Sequence, residues 1–305
     1  MVLLYRPFRD FGFGKAYTFI VKEEEMAFPR TQVAGISLPR MLIGSNWIFG
    51  WSHTGRAADV FIKEKHSTVE ATLSVLNAFL QYGIDAWMAP FSSHPQALDR
   101  IKAIQDKIGK KIILIDTPVL NMDDNPAARK EAEAIIKTSR EIGSTFCLIH
   151  HSCCEQLVNK NKRTIDRLPD YTKMIRDAGL IPGLSDHMPE IIQYSDLNGY
   201  DVETYIQILN CLGFLMQIEI ESVIRIIHEA KKPVMTIKPM AAGRTTPYVG
   251  LTFNWNVLRP QDMITVGCIN EHEVHEDVEI SMAALEKRLP NLEGRSSPAK
   301  QSIIR

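Results

Sequence analysis

Eight short apolar runs rich in β-forming residues alternate with amphipathic stretches of helical length, and this alternation constrains the fold more than any other feature. Strands that alternate with helices build parallel sheets from βαβ units. Eight such units favour a closed (β/α)8 TIM barrel over an open doubly wound sheet. The predicted strands span Arg40–Gly44, Ile84–Ala89, Lys111–Asp116, Thr145–His150, Ile181–Ser185, Tyr205–Leu209, Pro233–Lys238 and Met263–Val266.

The rest of the chain is organised around this single barrel. The spacing predicts helices over Val69–Gln81, Asn125–Ile142 and Leu168–Ala178, with a glycine after each. Residues 32–40 are predicted to form a hairpin that closes the bottom of the barrel. The predicted organisation is an N-terminal extension over 1–30, one barrel domain over 31–290 and a polar, fraying tail over 291–305.

Composition narrows the kinds of partner. The chain of 305 residues carries 35 Lys and Arg against 36 Asp and Glu, so it has no broad basic face for nucleic acid or an acidic membrane. A small-molecule substrate is expected instead. The five cysteines are an odd number and predict reduced thiols in the cytoplasm. Trp47 and Phe49 could serve a lid or the interface of a homo-oligomer.

Polar residues stand at or near the carboxyl ends of the predicted strands. Barrels of this kind assemble their active sites from those ends and from the loops that follow. The candidates, in chain order, are Asn46, His53, Asp85, Asp116, His150, His187, Lys238, Arg244 and Asn270.

The first hypothesis for these residues is a divalent metal site. Asp116, His150 and His187 belong to three neighbouring strands, and they offer the mixed oxygen and nitrogen ligands that such a metal accepts. Without a metal, the same residues act in acid and base catalysis with His53 folded over them, because imidazole titrates near neutral pH. Each of these residues also has a structural alternative. A histidine could be hydrogen-bonded without any catalytic role, and Asp116, like Asp85, could cap a helix.

Cations follow the seventh predicted strand. Lys238 and Arg244 are placed to hold a carboxylate or phosphate, and together with Asn46 and Asp85 they are the predicted substrate contacts. For Lys238 two alternatives stay open: an ion pair with a neighbouring aspartate, and a desolvated amine that forms a Schiff base.

Several segments resemble the aldo-keto reductases. Residues 183–185 are similar to the Gly-x-Ser strand of that family, and 237–243 to the loop after its seventh strand. Val266-Gly267 followed by 271–278 resembles its final strand and glutamate-rich helix, and 28–44 its opening hairpin. The resemblance covers most of 28–285 and implies the barrel of that family, with NADP as a cofactor held by Lys238, Arg244 and Asn270.

The reductase chemistry does not carry over at most positions. The catalytic aspartate of the family aligns near Met88, the lysine aligns with Pro118, and the tyrosine has no clear counterpart in 89–94. Only His150 matches. The resemblance therefore implies a divergent branch that lacks most of the reductase tetrad.

Three functions follow from these observations. The first is a non-redox lyase, isomerase or hydrolase acting on a small polar or anionic, sugar-like substrate through a divalent metal or through His and Asp acid–base catalysis. The alternative is a divergent NADP-dependent oxidoreductase with His150 as the acid. The third is a barrel that binds a metabolite without catalysis.

Overall fold

The computed structural model of the chain describes residues 27–109 and 111–292. Most of the predicted N-terminal extension and of the predicted tail therefore lies outside the described residues. Within the described segments, no helix has both the length and the apolar content needed to cross a membrane.

Eight parallel strands close into a barrel, which confirms the predicted fold. The observed strands match the predicted ones to within two residues at either end. Their order around the barrel is β3, β4, β5, β6, β9, β10, β11 and β12, with β12 paired to β3. They are β3 (Met41–Ile43), β4 (Ala86–Ala89), β5 (Ile113–Asp116), β6 (Phe146–Ile149), β9 (Ile181–Asp186), β10 (Tyr205–Ile208), β11 (Val234–Ile237) and β12 (Met263–Val266).

Helices connect and cover the strands. Several begin at a capping side chain, such as Asn125 and Thr246, each followed by proline at the first helical position. The helices are α1 (Asn46–Phe49), α2 (Arg56–Lys65), α3 (Val69–Leu80), α4 (Pro95–Ile108), α5 (Pro126–Glu141), α6 (His151–Cys154), α7 (Leu168–Asp177), α8 (Glu190–Asn198), α9 (Ile220–Glu229), α10 (Pro247–Val257) and α11 (Glu271–Leu285).

Two short hairpins lie outside the barrel. The first joins β1 (Arg30–Val33) to β2 (Ile36–Pro39) through Ala34 and Gly35, both with positive φ. The second joins β7 (Val158–Asn159) to β8 (Thr164–Ile165). Val33 and Leu38 of the first hairpin belong to the apolar cluster of the barrel interior. The predicted hairpin is thus present and contributes to the core that fills the barrel.

Strand alternation sorts the core into two layers. Residues on one face of each strand fill the barrel interior, for example Leu42, Met88 and Leu148. Residues on the other face, such as Trp87 and Leu114, pack in the layer between strands and helices. This sorting also decides where the polar residues at the strand ends point.

Gly183 is required by a close approach inside the barrel. A Cβ atom at this position would lie 2.7 Å from Cγ of Leu148 and 2.8 Å from the carbonyl oxygen of Thr204. Because the second contact is with backbone, the barrel would have to shift to admit a side chain.

A buried ionic network joins strands at the end of the barrel opposite their carboxyl ends. Asp262 is fully buried and accepts hydrogen bonds from Arg259 Nε and Nη2, both at 2.8 Å, and from the backbone N–H of Val234 at 2.9 Å. Arg40 Nε donates to the Asp262 carbonyl at 3.0 Å. The network therefore fixes the start of β11 and β12 against β3.

Replacing Asp262 by alanine should lower the free energy of unfolding by about 3 kcal/mol, because it leaves a largely buried guanidinium and a buried N–H without their partner. Urea denaturation measures the change. Asp177→Ala is the matched control, since Asp177 pairs with Lys173 one helical turn away at an exposed site, and should cost about 0.5 kcal/mol or less. Equal losses in the two variants would contradict the structural role of the network.

Candidate active site

The carboxyl ends of the barrel strands and the loops after them form what we call the barrel mouth. Six polar residues, contributed by four strand ends and their loops, are brought together there through hydrogen bonds, ring stacking and mutual electrostatic influence. They are Asn46, His53, His150, His151, His187 and Lys238.

Three histidine rings meet at the ends of β6 and β9, and we call them the histidine stack. The centroid of the His151 ring lies 4.2 Å from that of His150, with the planes tilted by 46°, and 3.7 Å from that of His187. The His151 and His187 planes differ by only 15°. Because β6 and β9 are neighbours in the barrel, the stack is a direct result of strand order.

The stacked histidines are kept neutral. Burial, reinforced by the neighbouring imidazoles and Lys238, lowers the pKa of His150 to about 4 and that of His187 to about 3. Burial also lowers the pKa of His151, although Glu155 acts in the opposite direction. At neutral pH these rings therefore serve as uncharged hydrogen-bonding groups.

Hydrogen bonding decides which nitrogen of His150 carries the proton. The backbone N–H of Ser152 donates to Nδ1 at 3.3 Å, and the Ser152 hydroxyl lies 2.8 Å from the same atom. An N–H group can only donate, so Nδ1 is an acceptor and the proton of the neutral ring resides on Nε2. His150 can thus offer an N–H donor from Nε2.

Lys238 and His53 form a second group at the mouth. Nζ of Lys238 lies 3.1 Å from Nε2 of His53, which is also 3.0 Å from Nδ2 of Asn46. Burial lowers the pKa of Lys238 to about 8. Burial, followed by the charge of Lys238, lowers the pKa of His53. Lys238 and His53 thus place an amine and an imidazole nitrogen in direct contact at the mouth.

Arg244 ties the loops of the mouth together. Its Nη2 donates to the carbonyl oxygen of His53 at 3.1 Å, and its guanidinium lies 3.8 Å above the ring of Phe214. The guanidinium remains an exposed cation beside the mouth.

Four residues with backbone strain lie in the same loops. Lys238, Ala241 and Ala242 all have positive φ, at 59°, 50° and 55°, and so has His53 at 56°. A residue with a side chain pays of order 1 kcal/mol or more for this conformation, and such residues cluster at functional sites. No residue type in these segments signals the strain, so sequence reasoning could not find it.

Asp116 does not join the histidines, which corrects the predicted metal set. It shares the outward strand face of Leu114, and Oδ1 accepts a hydrogen bond from the backbone N–H of Ser92 at 3.2 Å. Burial raises the pKa of Asp116 against the effect of Ser92 and Ser139. The carboxyl group therefore belongs to the layer between β5 and α5.

The structure brings together a different set of metal-type ligands. Within residues 27–109 and 111–292, one group with ligand atoms all within 4.8 Å consists of His151, Glu155 and His187. Glu155 Oε1 already accepts the N–H groups of His187 and Met188 at 2.8 and 3.1 Å. The two imidazole planes are nearly parallel and stacked, so their in-plane lone pairs lie in two separate planes, which suits one shared ion poorly.

Two other predicted residues are engaged by structural partners. Asp85 precedes β4 at the opposite end of the barrel and pairs with Arg30 Nη1 at 3.0 Å. Asn270 caps α11, because its Oδ1 accepts the N–H of Glu273 at 3.0 Å and its Nδ2 donates to the Glu273 carboxylate at 3.3 Å. The substrate contact predicted for Asp85 is thus wrong in its placement.

Sequence reasoning missed two residues behind the histidine stack. Glu155 lies four residues after His151, a spacing that a helical interpretation of this segment would have detected. Asp186 is fully buried, and within the described segments its carboxylate oxygens have no hydrogen-bond partner. Burial raises its pKa well above the ordinary value, with the charge of Glu155 acting in the same direction. Burial therefore favours the neutral form of Asp186.

The described residues thus define a closed parallel (β/α)8 barrel with a histidine-rich mouth. No model of a known protein family matches the chain, and no curated protein matches it in sequence. Solved structures of aldo-keto reductases do match its fold.

One similar structure is a protein from Pseudomonas aeruginosa classed as an aldo-keto reductase, with a TM-score of 0.60, 13% identity and coverage of 84% of this chain and 95% of that one. Another is a glycerol dehydrogenase from Gluconobacter oxydans, with a TM-score of 0.55, 13% identity and coverage of 88% of this chain and 99% of that one. A third is the thermostable aldo-keto reductase Tm1743 in complex with the inhibitor epalrestat, with a TM-score of 0.57, 11% identity and coverage of 87% of this chain and 96% of that one. At such identities the likeness establishes the fold alone.

Acidification should destabilise the protein through the histidine stack. The unfolded chain takes up a proton at His187 near its ordinary pKa of about 6.5, whereas the folded chain resists until about pH 3. The contribution of neutral His187 to the free energy of unfolding is therefore fully present above pH 6.5 and is lost as the pH falls below that value. The loss is up to about 1.4 kcal/mol per pH unit for one proton.

His187→Gln should flatten the dependence of the unfolding free energy on pH between about 6.5 and 5. Urea denaturation across that range measures the slope. His272→Gln, at a side chain that is 87% exposed, is the control and should keep the slope of the unmodified protein. An unchanged slope in His187→Gln would show that this ring protonates equally in both states.

Proposed function

We propose that the chain is a nicotinamide-dependent oxidoreductase that interconverts a carbonyl group and an alcohol on a small molecule at the barrel mouth. Two things support the proposal: the barrel resembles proteins described as aldo-keto reductases and a glycerol dehydrogenase, and the mouth holds an acid that titrates near neutral pH. The single observation that carries it is the pair formed by Lys238 and His53, with Nζ and Nε2 3.1 Å apart.

The lost reductase tyrosine has a chemical substitute in this pair. In carbonyl reduction the oxygen of the substrate gains negative charge and must be given a proton. The ammonium group of Lys238 supplies that proton because its pKa is lowered to about 8. His53 then relays protons between solvent and Lys238, since its side chain is exposed and its Nε2 contacts Nζ of Lys238.

His150 polarises the same carbonyl in this proposal. Its neutral ring carries hydrogen on Nε2, as the bond from Ser152 to Nδ1 requires. A neutral N–H donor stabilises the developing oxyanion without competing with Lys238 as the proton source. The low pKa of about 4 keeps this donor uncharged across the neutral range.

The residues beside the loop after β11 and at the start of α11 decide which dinucleotide phosphates the protein can bind. Arg244 is an exposed cation beside the loop after β11, where it can pair with a phosphate. Asn270 is committed to capping α11, and Glu271 and Glu273 in the first turn of that helix disfavour the extra phosphate of NADP. When bound, a nicotinamide supplies or accepts the hydride. We therefore expect NADH to bind at least as tightly as NADPH.

Titration of the protein with NADH and NADPH, followed by cofactor fluorescence, tests the proposal. We expect micromolar binding of NADH, weakened about tenfold in Arg244→Gln because one charge-assisted phosphate contact is lost. Arg129→Gln is the matched control, since Arg129 is an arginine on α5 paired with Asp124 at 2.8 Å, and it should bind like the unmodified protein. Absence of binding at millimolar concentrations of both cofactors would end the oxidoreductase proposal.

A cofactor-independent acid–base reaction is the second candidate. It is favoured by the same Lys238 and His53 pair, which can remove and return a proton next to a carbonyl without any redox partner. Hydrogen–deuterium exchange at the carbon next to the carbonyl of a test ketone, without nicotinamide, separates the two. Exchange catalysed by the protein and lost in Lys238→Met would favour this second function.

A further inference from the structure

The amine of Lys238 is held in an unusual setting for a lysine. It is only partly exposed, and within the described part of the chain no carboxylate is paired with it. Burial alone acts on its pKa. The ion pair that the sequence left open is thus not formed among the described residues, and the partner of Nζ is an imidazole.

His53 presents a basic nitrogen to that amine. Asn46 Nδ2 and Lys238 Nζ both carry hydrogens and both approach Nε2 of His53, at 3.0 and 3.1 Å. Nε2 is therefore the acceptor in both contacts, and it is free to take a proton from the ammonium group. Burial and the charge of Lys238 lower the pKa of His53, which favours the unprotonated form of this nitrogen.

The backbone aims the two side chains at each other. Lys238 and His53 come from loops after β11 and β3, and both have positive φ, at 59° and 56°. Arg244 adds a second tie between the same loops through the carbonyl oxygen of His53. Backbone strain outside helices and strands is expected where the fold must hold two reacting groups close together.

We propose that Lys238 is a nucleophile that captures aldehydes or ketones as a protonated imine, with His53 as its proton shuttle. Nε2 of His53 first accepts a proton from the ammonium group. The free amine of Lys238 then attacks the carbonyl carbon, and a proton passes from nitrogen to oxygen to give a carbinolamine. His53 returns its proton to the hydroxyl group, which leaves as water while the C=N bond forms.

This step needs no oxidant, reductant or metal, because one carbonyl compound and one ammonium group give one protonated imine and one water. With its pKa near 8, Lys238 has a neutral fraction roughly a few hundred times that of an ordinary lysine at pH 7. The proposal also stands apart from the redox function, since it holds whether or not a nicotinamide binds.

Reductive trapping tests the inference. The full chain is incubated with glycolaldehyde, and in parallel with pyruvate, in the presence of cyanoborohydride, which reduces the imine to a stable secondary amine. Tryptic digestion and tandem mass spectrometry then locate the added mass. Lys232 is an internal control in the same peptide, because trypsin does not cut before Pro233, and its Nζ is paired with Glu203 at 3.2 Å.

We expect labelling of Lys238 to exceed that of Lys232 at least tenfold with one of the two probes. His53→Gln should slow labelling of Lys238 about tenfold while leaving Lys232 unchanged, because glutamine accepts a hydrogen bond but does not take up the proton. Equal labelling of the two lysines, or no labelling of Lys238, in the unmodified protein would overturn the proposal. Trapping without nicotinamide binding would leave this inference standing and remove only the redox function.

Discussion

In a closed parallel barrel, each residue of a strand faces either the interior or the layer of helices, and the two faces alternate along the chain. This alternation decides the surroundings of every polar group at the strand ends. Two neighbouring strands, β6 and β9, carry His150 and His187 past their ends, and there the rings meet in one stack. Asp116 and Asp186 stand within the last positions of their strands, on the face of Leu114 and Leu184, and are buried outside the barrel.

The same geometry explains why the histidines of the mouth are uncharged. Groups that surround the mouth are desolvated by one another and by the ends of the strands, and desolvation disfavours the charged form of each. The pKa values of His150, His187 and Lys238 are all lowered for this reason. The result is a set of uncharged donors beside one amine that changes its protonation near neutral pH.

Much of the fold was predictable because it depends on local patterns. The apolar runs of the strands and the punctuating glycines are short-range signals, and the strands they predict agree with those observed to within two residues at either end. The resemblance of 183–185 and 237–243 to aldo-keto reductases agrees with the barrel type of the solved structures. Gly183 shows a physical reason for one such motif, since neither Leu148 nor Thr204 leaves room for a side chain there.

The site was less predictable because its members meet across loops. Strand order alone predicts Asp116 beside His150 and His187, but the face of the strand on which Asp116 lies buries it outside the barrel. Strand order does not reveal Glu155, whose carboxylate accepts the backbone N–H groups of 187 and 188, and it does not show that Asp85 lies at the opposite end of the barrel. The strained φ angles at Lys238 and His53 follow from loop packing, for which no residue type in these segments is a signal.

The sequence alone was thus sufficient to predict the number of strands, their alternation with helices and the placement of His150, His187 and Lys238 at one end of a barrel. These properties depend on the hydrophobic periodicity and on the parallel direction of the strands, and both can be inferred from residues close together in the chain. Only the folded chain decided which polar groups share a surface, which are buried behind it and which proton each carries. Those properties depend on desolvation and on contacts between residues as far apart as His53 and Lys238, which exist only when the barrel has closed.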